Sequence, residues 1–161
     1  MNKVKIERST CGDTRTAERV PSFGEFDRSN RMHRQDVRDM MNELARELQG
    51  AGSAHDYTKT AEPHKSLFYR ELCATIEGKM NFVEDGKWYR MHCETERHHL
   101  NERCPEDVNL IDVLEMICDC VCAGMARTGE FRPVEISPEI LQRAAENTAK
   151  MCADAVELMG D

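Results

Sequence analysis

The chain has 161 residues, 40% of them hydrophobic and 32% charged, with only 5 Pro and 9 Gly; that is enough to bury one core and too apolar for a disordered tether. Its formal net charge of −8 argues against a protein whose main task is to grip nucleic-acid backbones, which takes clustered Lys and Arg. No apolar run approaches the roughly 20 residues that cross a bilayer, and no secretory leader precedes the eight cysteines, so a cytoplasmic chain with reduced thiols is expected.

Residues 1–30 carry mixed charges, Ser, Thr, Gly and Pro21 without a sustained period and read as an irregular N-terminal arm. Residues 29–49 set Val37, Met41, Leu44 and Leu48 on one helical stripe, which His33 extends, with Ser29 or Asn30 as cap and Gly50 and Gly52 as stop. Residues 54–60 are short and turn-like. Residues 64–77 place Leu67, Leu72 and Ile76 near one face of a further helix that Gly78 ends.

Residues 81–86 read as a loop, followed by a helical region holding Trp88, Met91, Cys93 and Leu100 until Cys104-Pro105 interrupts it. Residues 107–127 are apolar nearly all round, which predicts a central, buried helix. Its Cys118, Cys120 and Cys122 alternate at i, i+2, i+4, do not converge as a zinc knuckle would, and read as core thiols. Past Gly129 and Pro133, Ser137-Pro138-Glu139 opens a last helix with apolar positions from Ile140 to Leu158. No repeat and no strand pair is evident, so the expected class is all-α, a single compact bundle of about five to six helices. The methionines of the first and last helices fit a homodimer interface and core packing equally well.

The polar residues carry the chemistry. His33, the adjacent pair His55-Asp56 in a turn, and Asp119 on the apolar helix follow each other as H, HD, D. Imidazole nitrogen and carboxylate oxygen together suit a divalent transition metal, and positions left open for water make such a site catalytic. A carboxylate inside an apolar helix costs roughly several kcal/mol unless it is paired or metal-bound. Against this stands a plainer reading: Asp112, Glu115 and Asp119, spaced i, i+3, i+7, also describe the solvated stripe of an amphipathic helix. His92, His98 and His99 supply three of the chain's six histidines in one short region, enough for a second metal. Lys59 follows His55 by one turn and brings a cation to where a substrate phosphate oxygen would lie.

His55-Asp56-Tyr57-Thr58-Lys59 resembles the HDxxK signature of the HD superfamily of metal-dependent phosphohydrolases. The wider set resembles the HD-GYP subgroup, in which an upstream His, the HD pair, a further His, an HH doublet and a late Asp build a two- or three-metal site. The likeness spans roughly residues 31–128, and the stretches ERHHLN (96–101) and DVNLIDVLEMICDC (107–120) are similar to small phage-encoded HD-like proteins, which implies the cytoplasm of a bacterial host. After His99 the chain continues Leu100-Asn101, where the subgroup carries its acidic, glycine-rich segment.

The resemblance implies an HD-like helical domain over 31–161 in which His33, His55, Asp56, His92, His98, His99 and Asp119 hold one to three divalent ions (Mn, Fe, Co, Ni or Zn). Lys59 and Asp56 would stand at the catalytic centre. The implied activity is a phosphohydrolase or phosphodiesterase acting on a small nucleotide or cyclic nucleotide, with no stable nucleic-acid or membrane binding. Two alternatives remain: a di-iron oxygenase, as in some HD-fold proteins, and a non-catalytic nucleotide-binding phage accessory protein.

Overall fold

A computed structural model describes residues 1–159 apart from Thr10, Thr16, Glu18 and Arg132, so those three positions of the expected N-terminal arm lie outside the described residues. In chain order the elements are β1 (Val4–Glu7), α1 (Phe23–Ala54), α2 (Tyr57–Thr60), α3 (His64–Ile76), α4 (Phe82–Asp85), α5 (Lys87–Thr95), α6 (Leu110–Thr128), α7 (Pro138–Ala155) and β2 (Val156–Met159). The chain is mostly helical, as its periodicity predicts. It divides into two units, residues 1–49 with 149–161 and residues 50–148.

The first unit holds an unexpected strand pair. β1 and β2 run parallel with Val4 opposite Val156 and Glu7 opposite Met159. Strands of four residues are too short to show alternation, and their partners sit at opposite ends of the chain, so local pattern could not reveal them. Val4 and Ala155 are buried there, and β2 ends the last helix before Leu158 is reached. Nearby, the buried carboxylate of Glu43 on α1 accepts from the Asn2 backbone N–H at 3.0 Å and its side-chain amide at 3.1 Å.

α1 starts several residues earlier than its apolar stripe suggests because Ser22 and Glu25 form a capping box. Ser22 N–H donates to Glu25 Oε2 at 2.8 Å, and Glu25 N–H donates to Ser22 Oγ at 3.3 Å, which satisfies two otherwise orphaned helix donors. The stripe expected to be buried is instead open: Val37 is 48% exposed and Met41 61%, and His33 beside them is exposed too.

In the second unit two small cores hold the helices. Trp88 is 2% exposed and stacks on Phe68 at 4.0 Å between centroids, with Phe82 at 5.8 Å. Glu71 of α3, buried, accepts from the backbone N–H of Lys87 at 3.2 Å and of Trp88 at 3.0 Å. A carboxylate thus meets the orphan donors and positive dipole end of α5. The stretch expected as a loop after Gly78 contains α4, capped by Asn81, whose side chain accepts from Val83 and Glu84 N–H. The other core joins Leu100, Val108, Val113, Met116 and Ala144, with Ile117 and Ile140 packed against it.

α6 is not the all-round buried helix its composition suggests. Only Asp112, Val113 and Met116 are buried, while Leu114 is 44% and Met125 50% exposed, and Cys118, Cys120 and Cys122 are exposed free thiols rather than core residues. The carboxylate stripe takes the inward face, which leaves part of the apolar surface outside. Among the described residues, no helix is long and apolar enough to cross a membrane.

Candidate metal centre

His55 and Asp56 occupy the turn between α1 and α2. Asp56 has φ 55° and ψ 30°, the one positive φ outside glycine among the described residues. That left-handed backbone costs about 1–2 kcal/mol for an L-residue and persists where the surroundings enforce it, commonly at functional sites. Lys59 N–H donates to Asp56 O at 2.8 Å, so the strained turn leads directly into α2.

His92 lies on α5, one turn after Trp88. The chain leaves that helix at Thr95, and Leu100 N–H closes a tight turn onto His98 O at 2.9 Å. Arg97, between Glu96 and the His98-His99 doublet, forks onto Asp112 of α6 through Nε at 2.7 Å and Nη2 at 2.8 Å. Asp112 also completes the capping box with Asn109 that starts α6. One buried carboxylate therefore ties the histidine segment to the helix that carries Glu115 and Asp119.

Four imidazole Nε2 atoms converge on two carboxylates. Asp56 Oδ1 is 3.3 Å from His92 Nε2 and 3.7 Å from His98 Nε2, and His92 Nε2 is 2.9 Å from His99 Nε2. Asp56 Oδ2 is 3.2 Å from His55 Nε2, which is 3.4 Å from Asp119 Oδ1. Metal–nitrogen and metal–oxygen bonds of about 2.1 Å put neighbouring ligand atoms roughly 3.0–3.4 Å apart, so these separations suit a shared cation. Asp56, His92, His98 and His99 form one such group and His55, Asp56 and Asp119 another, with Asp56 turning one oxygen toward each. Asp56 Oδ1 and both His98 ring nitrogens are buried without a hydrogen-bond partner among the described residues; for Asp56 Oδ1 and His98 Nε2, which face each other, that is a costly state that a cation would relieve.

The opposite ring nitrogens of His92 and His55 are hydrogen-bonded, and those of His98 and His99 lie near carboxylates. Thr58 Oγ1 donates to Glu96 Oε1 at 2.6 Å and so must accept from His92 Nδ1–H, also at 2.6 Å. That places the neutral His92 proton on Nδ1 and leaves a lone pair on Nε2, which accepts from His99 Nε2–H in the metal-free chain. His55 Nδ1 hydrogen-bonds Glu115 Oε1 at 2.9 Å. His98 Nδ1 lies 3.1 Å from the same oxygen, off hydrogen-bond alignment, and His99 Nδ1 lies 3.5 Å from Glu102. Partners of this kind fix the tautomer and orientation of metal-ligating histidines.

The electrostatics agree with the geometry. Burial, then the neighbouring His99, push His92 down to about 4, so it stays neutral, as a metal ligand must. Burial and then His98 lower His99. Burial opposes charge on His98 as well, but Glu115, with Asp56 and Asp119, outweighs it and raises that ring. Burial would raise the Asp56 carboxyl, yet the Lys59 ammonium, followed by His55 and His92, holds it below the usual carboxylate range. Lys59 itself rests on Asp56 Oδ2.

Of the residues expected to hold metal, His55, Asp56, His92, His98, His99 and Asp119 meet here. His33 joins none of these groups; it is exposed on α1 in the first unit and lines a cavity with Glu7, Arg15 and Asp36. Sequence reasoning gave no place in the centre to Glu115, Thr58, Glu96 or Trp88, and read Glu115 as part of a solvated stripe. Glu115 had a signal: it stands one turn before Asp119, so the two share a helix face. That face meets the histidines, not solvent. Nothing local marks Thr58 or Glu96, since their roles depend on a contact between α2 and the end of α5.

A sequence model of the family of unknown function DUF5662 matches residues 23–158, a span that contains every residue of the centre; the chain belongs to this family. No curated protein and no solved structure matches the chain.

Proposed function

We propose that this member of the DUF5662 family is a metal-dependent phosphohydrolase of the HD type, acting on a nucleotide or cyclic nucleotide. The observation that carries the reading is the convergence of four Nε2 atoms on Asp56 and Asp119, with Asp56 Oδ1 and the His98 nitrogens buried and lacking hydrogen-bond partners. His92, His98 and His99 with Asp56 Oδ1 make a nitrogen-rich position, and His55 and Asp119 with Asp56 Oδ2 a more oxygen-rich one. Such ligands suit Mn, Fe, Co, Ni or Zn. When bound there, divalent cations supply a nucleophile from water near neutral pH and neutralise phosphate charge.

The chain's own residues supply the rest. Asp56, in its left-handed turn, offers Oδ1 to one position and Oδ2 to the other. Lys59, half-buried at the same carboxylate, is the cation best placed to turn from Asp56 to a phosphate oxygen and stabilise charge that develops during displacement. Trp88, Thr58 and Glu96 hold His92 rigidly, which keeps the ligands in register. Cations held by these residues would also reconcile an acidic chain with an anionic substrate by making the pocket locally positive.

The test is to purify the protein without chelators, measure bound metals by elemental analysis, and assay nucleotides and cyclic nucleotides with added Mn or Co. A His55→Ala, Asp56→Ala double variant serves as control. Stoichiometric metal with phosphate or nucleoside monophosphate release that vanishes in the double variant supports the reading. Two irons per chain with oxygen uptake and no hydrolysis would replace it with an oxygenase, and no bound metal would overturn it.

A further inference from the structure

We propose that Glu115 is a positioning residue of this centre, and that its Oε1 atom keeps the protons of His55 and His98 on Nδ1 so that both Nε2 lone pairs face Asp56. The inference takes its purpose from the metal reading above, but its content concerns the protons of two imidazoles.

Glu115 Oε1 lies 2.9 Å from His55 Nδ1 and 3.1 Å from His98 Nδ1, and the two rings stand 4.5 Å apart between centroids. A neutral imidazole carries one proton, on one nitrogen or the other. A bare nitrogen facing a carboxylate oxygen sets lone pair against lone pair, and N–H turns that repulsion into attraction; Asp56 and Asp119 face the Nε2 edges at 3.2–3.7 Å, but Glu115 Oε1 is the nearer oxygen to each ring, so the proton is held on Nδ1. The two rings come from different segments, His55 from the turn after α1 and His98 from the turn after α5, and Glu115 reaches both from α6. One oxygen therefore sets the tautomer of a ligand in each half of the centre.

The rival role is that Glu115 ligates metal together with His55 and His98, which also lie close enough for it. In that case the metal would occupy the Nδ1 side and the proton would sit on Nε2. The two cases differ in one observable.

The experiment is long-range proton–nitrogen correlation NMR of ¹⁵N-histidine-labelled protein at pH 8, metal-free and with zinc, on wild type, Glu115→Gln and Glu115→Leu. Zinc affinity is measured alongside by competition with a chelator. The expected result is Nδ1–H on His55 and His98 in metal-free wild type, zinc perturbing Nε2, mixed tautomers in Glu115→Leu, and a roughly 10–100-fold weaker zinc affinity in that variant. Glu115→Gln should fall between, with helicity kept by circular dichroism. Nε2–H in wild type, zinc on Nδ1, or unchanged tautomers and affinity in Glu115→Leu would overturn the proposal. Should Glu115→Leu not fold, the wild-type tautomers and the Gln variant, which keeps the side chain's size, decide it. If wild type takes up no zinc while its tautomers depend on Glu115, the metal reading fails and the positioning role stands.

Discussion

Trp88 lies flat on His92, with ring centroids 4.4 Å apart and planes 15° from parallel. It is the chain's single tryptophan, so its fluorescence reports on one candidate ligand of the centre. Adding cobalt or nickel to chelator-treated protein should quench it saturably, and excess chelator should restore it. His92→Ala should abolish the response, and a response that survives that substitution would mean the ion binds elsewhere.

Thr58 is fully buried between His92 and Glu96, and it also accepts from Trp88 Nε1–H at 3.4 Å through its backbone carbonyl. Thr58→Val keeps the shape of the side chain but leaves His92 Nδ1–H without an acceptor and deprives Glu96 of one donor. Unsatisfied buried groups cost about 1–3 kcal/mol, so urea unfolding should show a loss of about 2 kcal/mol and weaker metal binding. An unchanged unfolding midpoint would refute the hydrogen-bond chain.

Arg97 is the only fork that joins the histidine segment to α6 among the described contacts, and Asp112, its partner, is 3% exposed. Arg97→Met strands that carboxylate while its capping bond to Asn109 N–H remains. A loss of about 2 kcal/mol is expected, the usual range for hydrogen bonds to charged groups being about 1.5–3. Because His98 and His99 follow directly, metal affinity should fall with it; a variant that loses stability but binds metal as wild type does would show that the fork is not needed to set the ligands.

His92 should make the metal-free protein less stable on mild acidification. Unfolded histidine takes up a proton near its ordinary value of about 6.5, whereas His92, pushed down mainly by burial and then by His99, does so only near 4. Between those values the unfolded state binds more protons from this residue, so its contribution to stability declines as pH falls from 6.5 toward 4. His98, raised by Glu115, works in the opposite direction. Thermal melts of chelator-treated His92→Phe should therefore depend less steeply on pH across that window than wild type. An equal or steeper slope would count against a neutral, buried His92.

Periodicity and turn residues were sufficient to identify an all-α chain, most of its helices, and six residues that meet at one centre, because local sequence encodes helix faces and caps, and because an HD pair, an HH doublet and a late Asp draw notice by residue type alone. Which face of α6 turns inward was not legible. Its apolar residues outnumber its carboxylates, yet Asp112, Glu115 and Asp119 face Arg97 and the histidines, and Leu114 and Cys118 are left outside; the partners that decide this lie in another segment. The same holds for His33, whose place in an H, HD, D order along the chain did not bring it into the groups that surround Asp56. β1 with β2, Thr58 with His92, and Glu115 with His55 and His98 are long-range pairings, and only the folded chain determines which distant donor meets which acceptor.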